Sequence, residues 1–250
     1  FSGIGQEIKI YQIFLFLGVN IGKNKTDTRW IEGYLSGVKL FCPLSDYIVI
    51  NVSSPNTPGL RALQGKAELG SLLETIKSCR DQCVGSPQSI AGICNTDAPR
   101  VFLKIAPDLT DEALYDIAQL SLDYHRYGVD ALIATNTTVL RPSSLKSRRE
   151  LTEEVGGLSG TPLAPIACER VSQLAKLTKA RVPIIGVGGV SDGADAYKLI
   201  RSGASAVQLY TAIVFQGWPV VGRVKRELAE LLRRDGFNSV EEAVGADQRT

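Results

Sequence analysis

The feature that most narrows the folds open to this chain is a repeated alternation. Short apolar, β-branched runs such as Tyr47-Ile48-Val49-Ile50, Val101 to Ala106 and Ala131-Leu132-Ile133-Ala134 are followed by stretches whose apolar side chains recur at helical spacing. Each run is short and meets turn residues at once, so it reads as a buried strand. Six such runs begin near residues 17, 47, 101, 131, 183 and 206. Between them, Trp30, Ile31, Tyr34, Leu35, Val38 and Phe41 mark one amphipathic helix, and Leu69, Leu72, Leu73 and Ile76 mark the next. Thr110 is suited to cap a third helix. Later helices run through Val171, Leu174 and Leu177, from Ala194 to Arg201, and through Val221, Val224, Leu228 and Leu231. Continuous apolar strands alternating with helices predict a parallel sheet covered by helices.

Every run ends in small polar or glycine residues. In a parallel α/β sheet or barrel those ends lie on one face, and that face holds the site. In order they supply Asn20, then Asn51 with Ser54 and Asn56, Lys104, Thr135-Asn136-Thr137, Gly188-Gly189, and Tyr210-Thr211. The segment Asn51 to Leu60 puts amides and hydroxyls on a backbone stiffened by two prolines. It is also ordinary turn chemistry, and only the recurrence at other strand ends argues for more. Lys104 lies inside an apolar strand, where a lysine is costly unless it meets an anion. Its alternative is to snorkel to the rim. Gly188-Gly189 and Ser159-Gly160 can bring backbone N–H groups to a phosphate. These groups suit a planar, phosphate-bearing ligand rich in hydrogen-bonding edges, such as flavin mononucleotide (FMN). No GxGxxG follows a strand, which disfavours a dinucleotide fold.

Bulk properties remove other classes. The 250 residues carry a formal charge of +2 and no long basic run, so nucleic acid is not an expected partner. The five cysteines, Cys42, Cys79, Cys83, Cys94 and Cys168, are odd in number and irregular in spacing, which argues against a disulfide framework or a zinc site. The single histidine, His125, falls on an expected surface helix, so Ser-His-Asp hydrolysis is disfavoured. The chain has no methionine, even at position 1, which predicts a fragment or processed product. No targeting segment is apparent, and the apolar run Tyr11 to Val19 is too short to span a bilayer.

Several segments in order resemble the dihydroorotate dehydrogenase family, in its membrane-associated, quinone-reducing class 2. They are Gly18-Val-Asn-Ile-Gly-Lys-Asn-Lys25, Asn51-Val-Ser-Ser-Pro-Asn-Thr57, Lys104-Ile-Ala-Pro-Asp-Leu-Thr110, Thr135-Asn-Thr-Thr138, Gly156-Gly-Leu-Ser-Gly160, Ile185-Gly-Val-Gly-Gly-Val190 and Val207-Gln-Leu-Tyr-Thr211. The resemblance implies a (β/α)8 TIM barrel of which about the last six units are present, spanning residues 17–250 after an atypical segment 1–16. It implies oxidation of dihydroorotate to orotate in pyrimidine synthesis, with a hydride passed to FMN and on to ubiquinone. Ser54 matches the catalytic base, where the soluble class 1 has cysteine. Lys104 matches the lysine against the flavin ring. Asn20, Asn51, Thr135, Asn136, Ser159, Gly160, Gly189, Leu209, Tyr210 and Thr211 match flavin contacts. Asn51, Asn56, Asn136 and Thr137 match groups that hold the orotate ring. For a eukaryotic member the resemblance implies the mitochondrial inner membrane, reached through an N-terminal helical pair. That pair and the first barrel strands are not found in this sequence. A non-catalytic truncated product of the same family, and a different phosphate-binding barrel, are the competing expectations.

Overall fold

The computed structural model describes residues 16–24, 26, 28–57, 59–83, 98–143 and 145–249. The strand-or-buried segment expected from Ile8 and most of the surface loop expected at 84–99 lie outside the described residues. Six strands form one sheet: β1 (Gly18–Gly22), β2 (Tyr47–Asn51), β3 (Arg100–Ile105), β4 (Ala131–Ala134), β5 (Ile184–Val187) and β6 (Ala206–Gln208). All neighbours are parallel, and spatial order equals chain order. This is the arc of a (β/α)8 barrel carrying six of its units. Among the described residues β1 and β6 each pair on one side only.

The helices are α1 (Trp30–Phe41), α2 (Lys66–Cys83), α3 (Asp111–Leu122), the short α4 (Tyr124–Tyr127) and α5 (Arg149–Thr152), α6 (Ala164–Thr178), α7 (Gly193–Arg201), α8 (Thr211–Gln216), α9 (Pro219–Arg234) and α10 (Val240–Ala243). Thr110 caps α3 as its sequence position suggests, its hydroxyl accepting from the Ala113 N–H at 3.2 Å. His125 sits exposed on α4.

The strands bury two faces for different purposes. Ile48, Ile50, Leu103, Ile105 and Leu132 point outward and are fully buried against Tyr34 and Val38 of α1, Leu72 and Ile76 of α2, Leu114 and Ile117 of α3, and Val171 and Leu174 of α6. Each such side chain contributes about 1.5–3 kcal/mol by leaving water. The alternate residues face the concave side, because successive side chains in a strand point to opposite faces. There Tyr47 stacks on Phe102, ring centroids 4.7 Å apart. Register puts Gly22, Asn51, Lys104 and Ile133 side by side one level higher.

Two expected strands differ in extent. β5 begins at Ile184, just after the expected start near 183, because Pro183 has no N–H for the ladder, although its carbonyl accepts from Leu132. β6 ends at Gln208 rather than Thr211. Thr211 instead opens α8, an element hidden in the apolar run Leu209 to Phe215, where periodicity does not separate strand from helix.

Candidate active site

The C-terminal end of β2 turns sharply because Asn51 accepts from the next loop. Its Oδ1 receives the Ser53 N–H at 3.1 Å and the Ser53 hydroxyl at 2.8 Å. The buried Tyr34 hydroxyl donates to the Asn51 carbonyl at 2.7 Å, and burial holds that phenol above its usual range. From β4, the Asn136 amide donates to Ser53 Oγ at 3.0 Å and to Asn51 Oδ1 at 3.4 Å. Asn136 Oδ1 in turn accepts the Thr137 N–H at 2.8 Å. Asn51, Ser53, Asn136 and Thr137 are therefore one polar network across two loops. Ser53 is fully buried within it. Sequence reasoning missed Ser53, whose only signal is that it adjoins Ser54. Ser54 itself is half-buried and outside the network, its Oγ accepting from the Asn56 N–H at 3.3 Å.

A cavity of about 670 Å³ opens beside this network, within the range of small-molecule sites. Its wall includes Lys104, Thr135, Asn136, Thr137, Ser159, Gly160, Gly189, Leu209, Tyr210 and Thr211. It also includes Gln208 and Ser191, which the sequence reading did not select. Gln208 faces inward by strand register beside Val187, a position that alternation along β6 could have revealed. Asn20, Asn51, Ser54 and Asn56 do not line it. Asn51 is nevertheless the register neighbour of Lys104, while Asn20 sits exposed on the edge strand β1, opposite Val49.

Lys104 is half-buried, and desolvation pushes its ammonium below the usual lysine range. Among the described residues no carboxylate pairs with it. A cation held at a cavity in this way suits an anionic or strongly polar ligand edge. At the far wall, Thr211 donates to Ser159 Oγ at 3.0 Å where α8 begins. Gly189 has φ +77°, and a Cβ there would lie 2.6 Å from Ala164 Cβ and 2.8 Å from Ala164 N. Only glycine fits so close to the start of α6 in that conformation. With Gly160, it makes a cradle where backbone can approach a phosphate. A cation and a glycine-walled cradle beside one cavity are a donor set that fits a flavin mononucleotide.

The segment before Ser159 closes over the other side. Arg141 donates to the carbonyls of Thr152, Glu154 and Gly156 at 2.8–2.9 Å, and Thr138 bridges Leu158. Gly157 is pressed against the network, since a Cβ there would meet Thr137 Oγ1 at 1.8 Å and Pro55 Cγ at 2.9 Å. The Ser54 loop, Thr137 and Gly157 thus converge.

Comparison with known proteins points one way. The family model described as Dihydroorotate dehydrogenase matches residues 6–232, beginning inside the 1–16 segment. The chain is 50% identical to the dihydroorotate dehydrogenase (quinone) of Rhodospirillum rubrum, over 93% of this chain and 59% of that protein. It is also 50% identical to the mitochondrial dihydroorotate dehydrogenase (quinone) of Mus musculus, over 93% of this chain and 55% of that one. A crystal structure of DHODH from Eimeria tenella in complex with ferulenol superposes with a TM-score of 0.85 at 43% identity, covering 93% of this chain and 62% of the other. The chain spans little more than half the length of these curated relatives.

Proposed function

This chain belongs to the dihydroorotate dehydrogenase family, and from that premise we propose that it oxidises dihydroorotate to orotate, with FMN as the first acceptor and ubiquinone as the second. The observation that carries the reading is the position of Lys104. It is a half-buried cation without a carboxylate partner among the described residues, between the Asn51 strand end and the glycine-walled cavity.

The bound FMN would supply the hydride acceptor. Lys104, Thr135, Ser159, Gly160, Gly189, Leu209, Tyr210 and Thr211 would hold it, with Asn20 and the amides of Asn51 and Asn136 at its ring edge. Asn51, Asn56, Asn136 and Thr137 would orient the orotate ring. Ser54 Oγ would take the proton from one ring carbon while the neighbouring carbon gives its hydride away. Together these remove two electrons and two hydrogens and leave the new double bond. A serine hydroxyl is a weak base and must be activated by its site. The hydroxyl accepts from Asn56 N–H, which favours a negatively charged oxygen. Gly157 packs against Pro55 and Thr137, next to Ser54 and Asn136 in the two loops. Phe215 lines the cavity and is exposed, and Val214 and Trp218, near it in sequence, are exposed as well. Exposed apolar side chains at the cavity suit the approach of an apolar electron acceptor, as a quinone is.

For location we propose the mitochondrial inner membrane, on the resemblance to class 2 and the mitochondrial names of the mouse and rice relatives. Membrane contact would come through an N-terminal helical pair of the kind the family resemblance implies. Among the described residues no helix is long and apolar enough to cross a membrane.

The test is the visible spectrum of the purified chain with dihydroorotate added under anaerobic conditions. A flavin spectrum that bleaches with substrate is expected. Ser54→Ala should keep the spectrum and slow bleaching by about 10²–10⁴-fold, the contribution of a general base. A chain that holds no flavin, or a Ser54→Ala variant that bleaches at the wild-type rate, sinks the reading.

A further inference from the structure

We propose that Arg61 is a positioning residue that sets Ser54 against the ring-binding Asn136-Thr137 pair, using Asp108 as its anchor. The inference rests on the reading of Ser54 and Asn136 given above. Arg61 belongs to a short 3₁₀ turn (Arg61–Gln64) after the Ser54 loop. Its guanidinium spends three donors on three different segments. Nε donates to the Ser53 carbonyl at 3.1 Å, the residue immediately before Ser54. Nη2 donates to the Thr137 carbonyl at 2.9 Å, and Nη1 to Asp108 Oδ2 at 2.7 Å. Asp108 follows β3 and is itself tied to the β4 loop. It accepts the Val139 N–H at 2.9 Å and the Thr138 hydroxyl.

The arrangement is selective in its chemistry. Two carbonyls and a carboxylate, all acceptors, converge on one planar cation, each met by a different guanidinium nitrogen, a spread that the single nitrogen of an ammonium does not offer. The two side chains are 23% and 11% exposed, so water competes weakly with the pair. Ser54 and Asn136-Thr137 sit on loops 82 or more residues apart in sequence (Asn136 minus Ser54). Hydrogen bonds from Asn136 to Ser53 and Asn51 join them on the cavity side. Arg61 joins the same two loops through their backbones. Reaction between groups on separate loops is sensitive to displacement on the order of 1 Å, and Arg61 removes that freedom. Arg61 does not itself line the cavity and does not bond Ser54 Oγ, so its effect passes through the backbones it holds.

The experiment compares wild type with Arg61→Lys and Asp108→Asn. Hydrogen exchange of the 250-residue chain is read first. The Ser53, Thr137 and Val139 amides are all hydrogen-bonded within this network. Both variants should raise exchange at least tenfold in peptides covering residues 53–56 and 137–140, with α2, α3 and α6 unchanged. The second measurement is the rate of flavin reduction by dihydroorotate against orotate affinity. The maximal rate should fall at least tenfold in Arg61→Lys, with flavin content retained and orotate affinity within threefold. Exchange that is unchanged, that rises in one loop only, or that rises throughout the fold overturns the proposal. So does a rate within threefold of wild type, or a parallel loss of rate, flavin and orotate binding. Ser54→Ala in the same assay separates the two ideas. If it reduces flavin at the wild-type rate, the role given to Ser54 fails, whatever the exchange shows about Arg61.

Discussion

Gly189→Ala tests the glycine cradle with one methyl group. At φ +77° an L-residue crowds its own carbonyl, at a cost of about 1–2 kcal/mol. The added Cβ would also lie 2.8 Å from the Ala164 backbone nitrogen and 2.9 Å from its Cα. Those atoms open α6 and cannot rotate aside, so one strand end or the helix must shift. Overpacking of this kind costs about 1–3 kcal/mol. The two effects sum to about 2–5 kcal/mol. For a urea slope of about 3 kcal/mol/M, the unfolding midpoint falls by about 0.7–1.7 M. Equilibrium urea unfolding followed by far-UV circular dichroism gives the value directly. Adding Ala164→Gly removes the 2.6 Å contact with Ala164 Cβ but leaves the backbone contacts and the dihedral, so it should recover only part of the loss. A midpoint within about 0.2 M of wild type would refute the argument, because neither the dihedral nor the contact would then constrain this position.

Lys104→Met should stabilise the flavin-free chain at neutral pH. The folded-state value lies below the unfolded one near 10.5, because burial disfavours the ammonium. Below the folded value the full penalty is present; as pH rises through it the native state sheds its proton first and the penalty is relieved. The gain in Tm should therefore shrink toward zero as pH approaches 10.5, and a gain independent of pH would refute the assignment. The same variant should bind FMN more weakly, measured by fluorescence quenching, because the cation facing the cavity is gone. Gly157→Ala should displace Thr137 and Pro55 and weaken orotate binding at least tenfold while flavin content stays, with retained orotate affinity as the contrary result.

The strands were legible because each carries a local signature: a short β-branched run followed at once by turn residues. Thr110 was legible as a cap for the same reason, since an N-cap acts within one turn of its own helix. β6 and α8 were less so. Leu209 to Phe215 is apolar apart from Thr211 and the Tyr210 hydroxyl, and only the departure of Leu209 and Tyr210 from the ladder decides where the strand stops. Lys104 stood out as a charge inside an apolar run, yet that no carboxylate among the described residues pairs with it could be seen only with the neighbouring strands in place. Ser53 was passed over because its partner Asn136 arrives from another strand's loop, whereas Gln208 did carry a local signal in the alternation along β6.

The alternation of elements, the parallel sheet and the grouping of polar strand ends on one face can all be read from the chain alone. Those follow from periodicity, capping and turn chemistry, which act over a few residues. Only the tertiary structure decided that Asn136 reaches Ser53, that Arg61 spans Ser53, Asp108 and Thr137, and that Gly157 presses on Thr137. These contacts depend on strand register and on which loops the sheet makes neighbours, and a hydrogen bond between loops 83 residues apart leaves no periodic trace in either one.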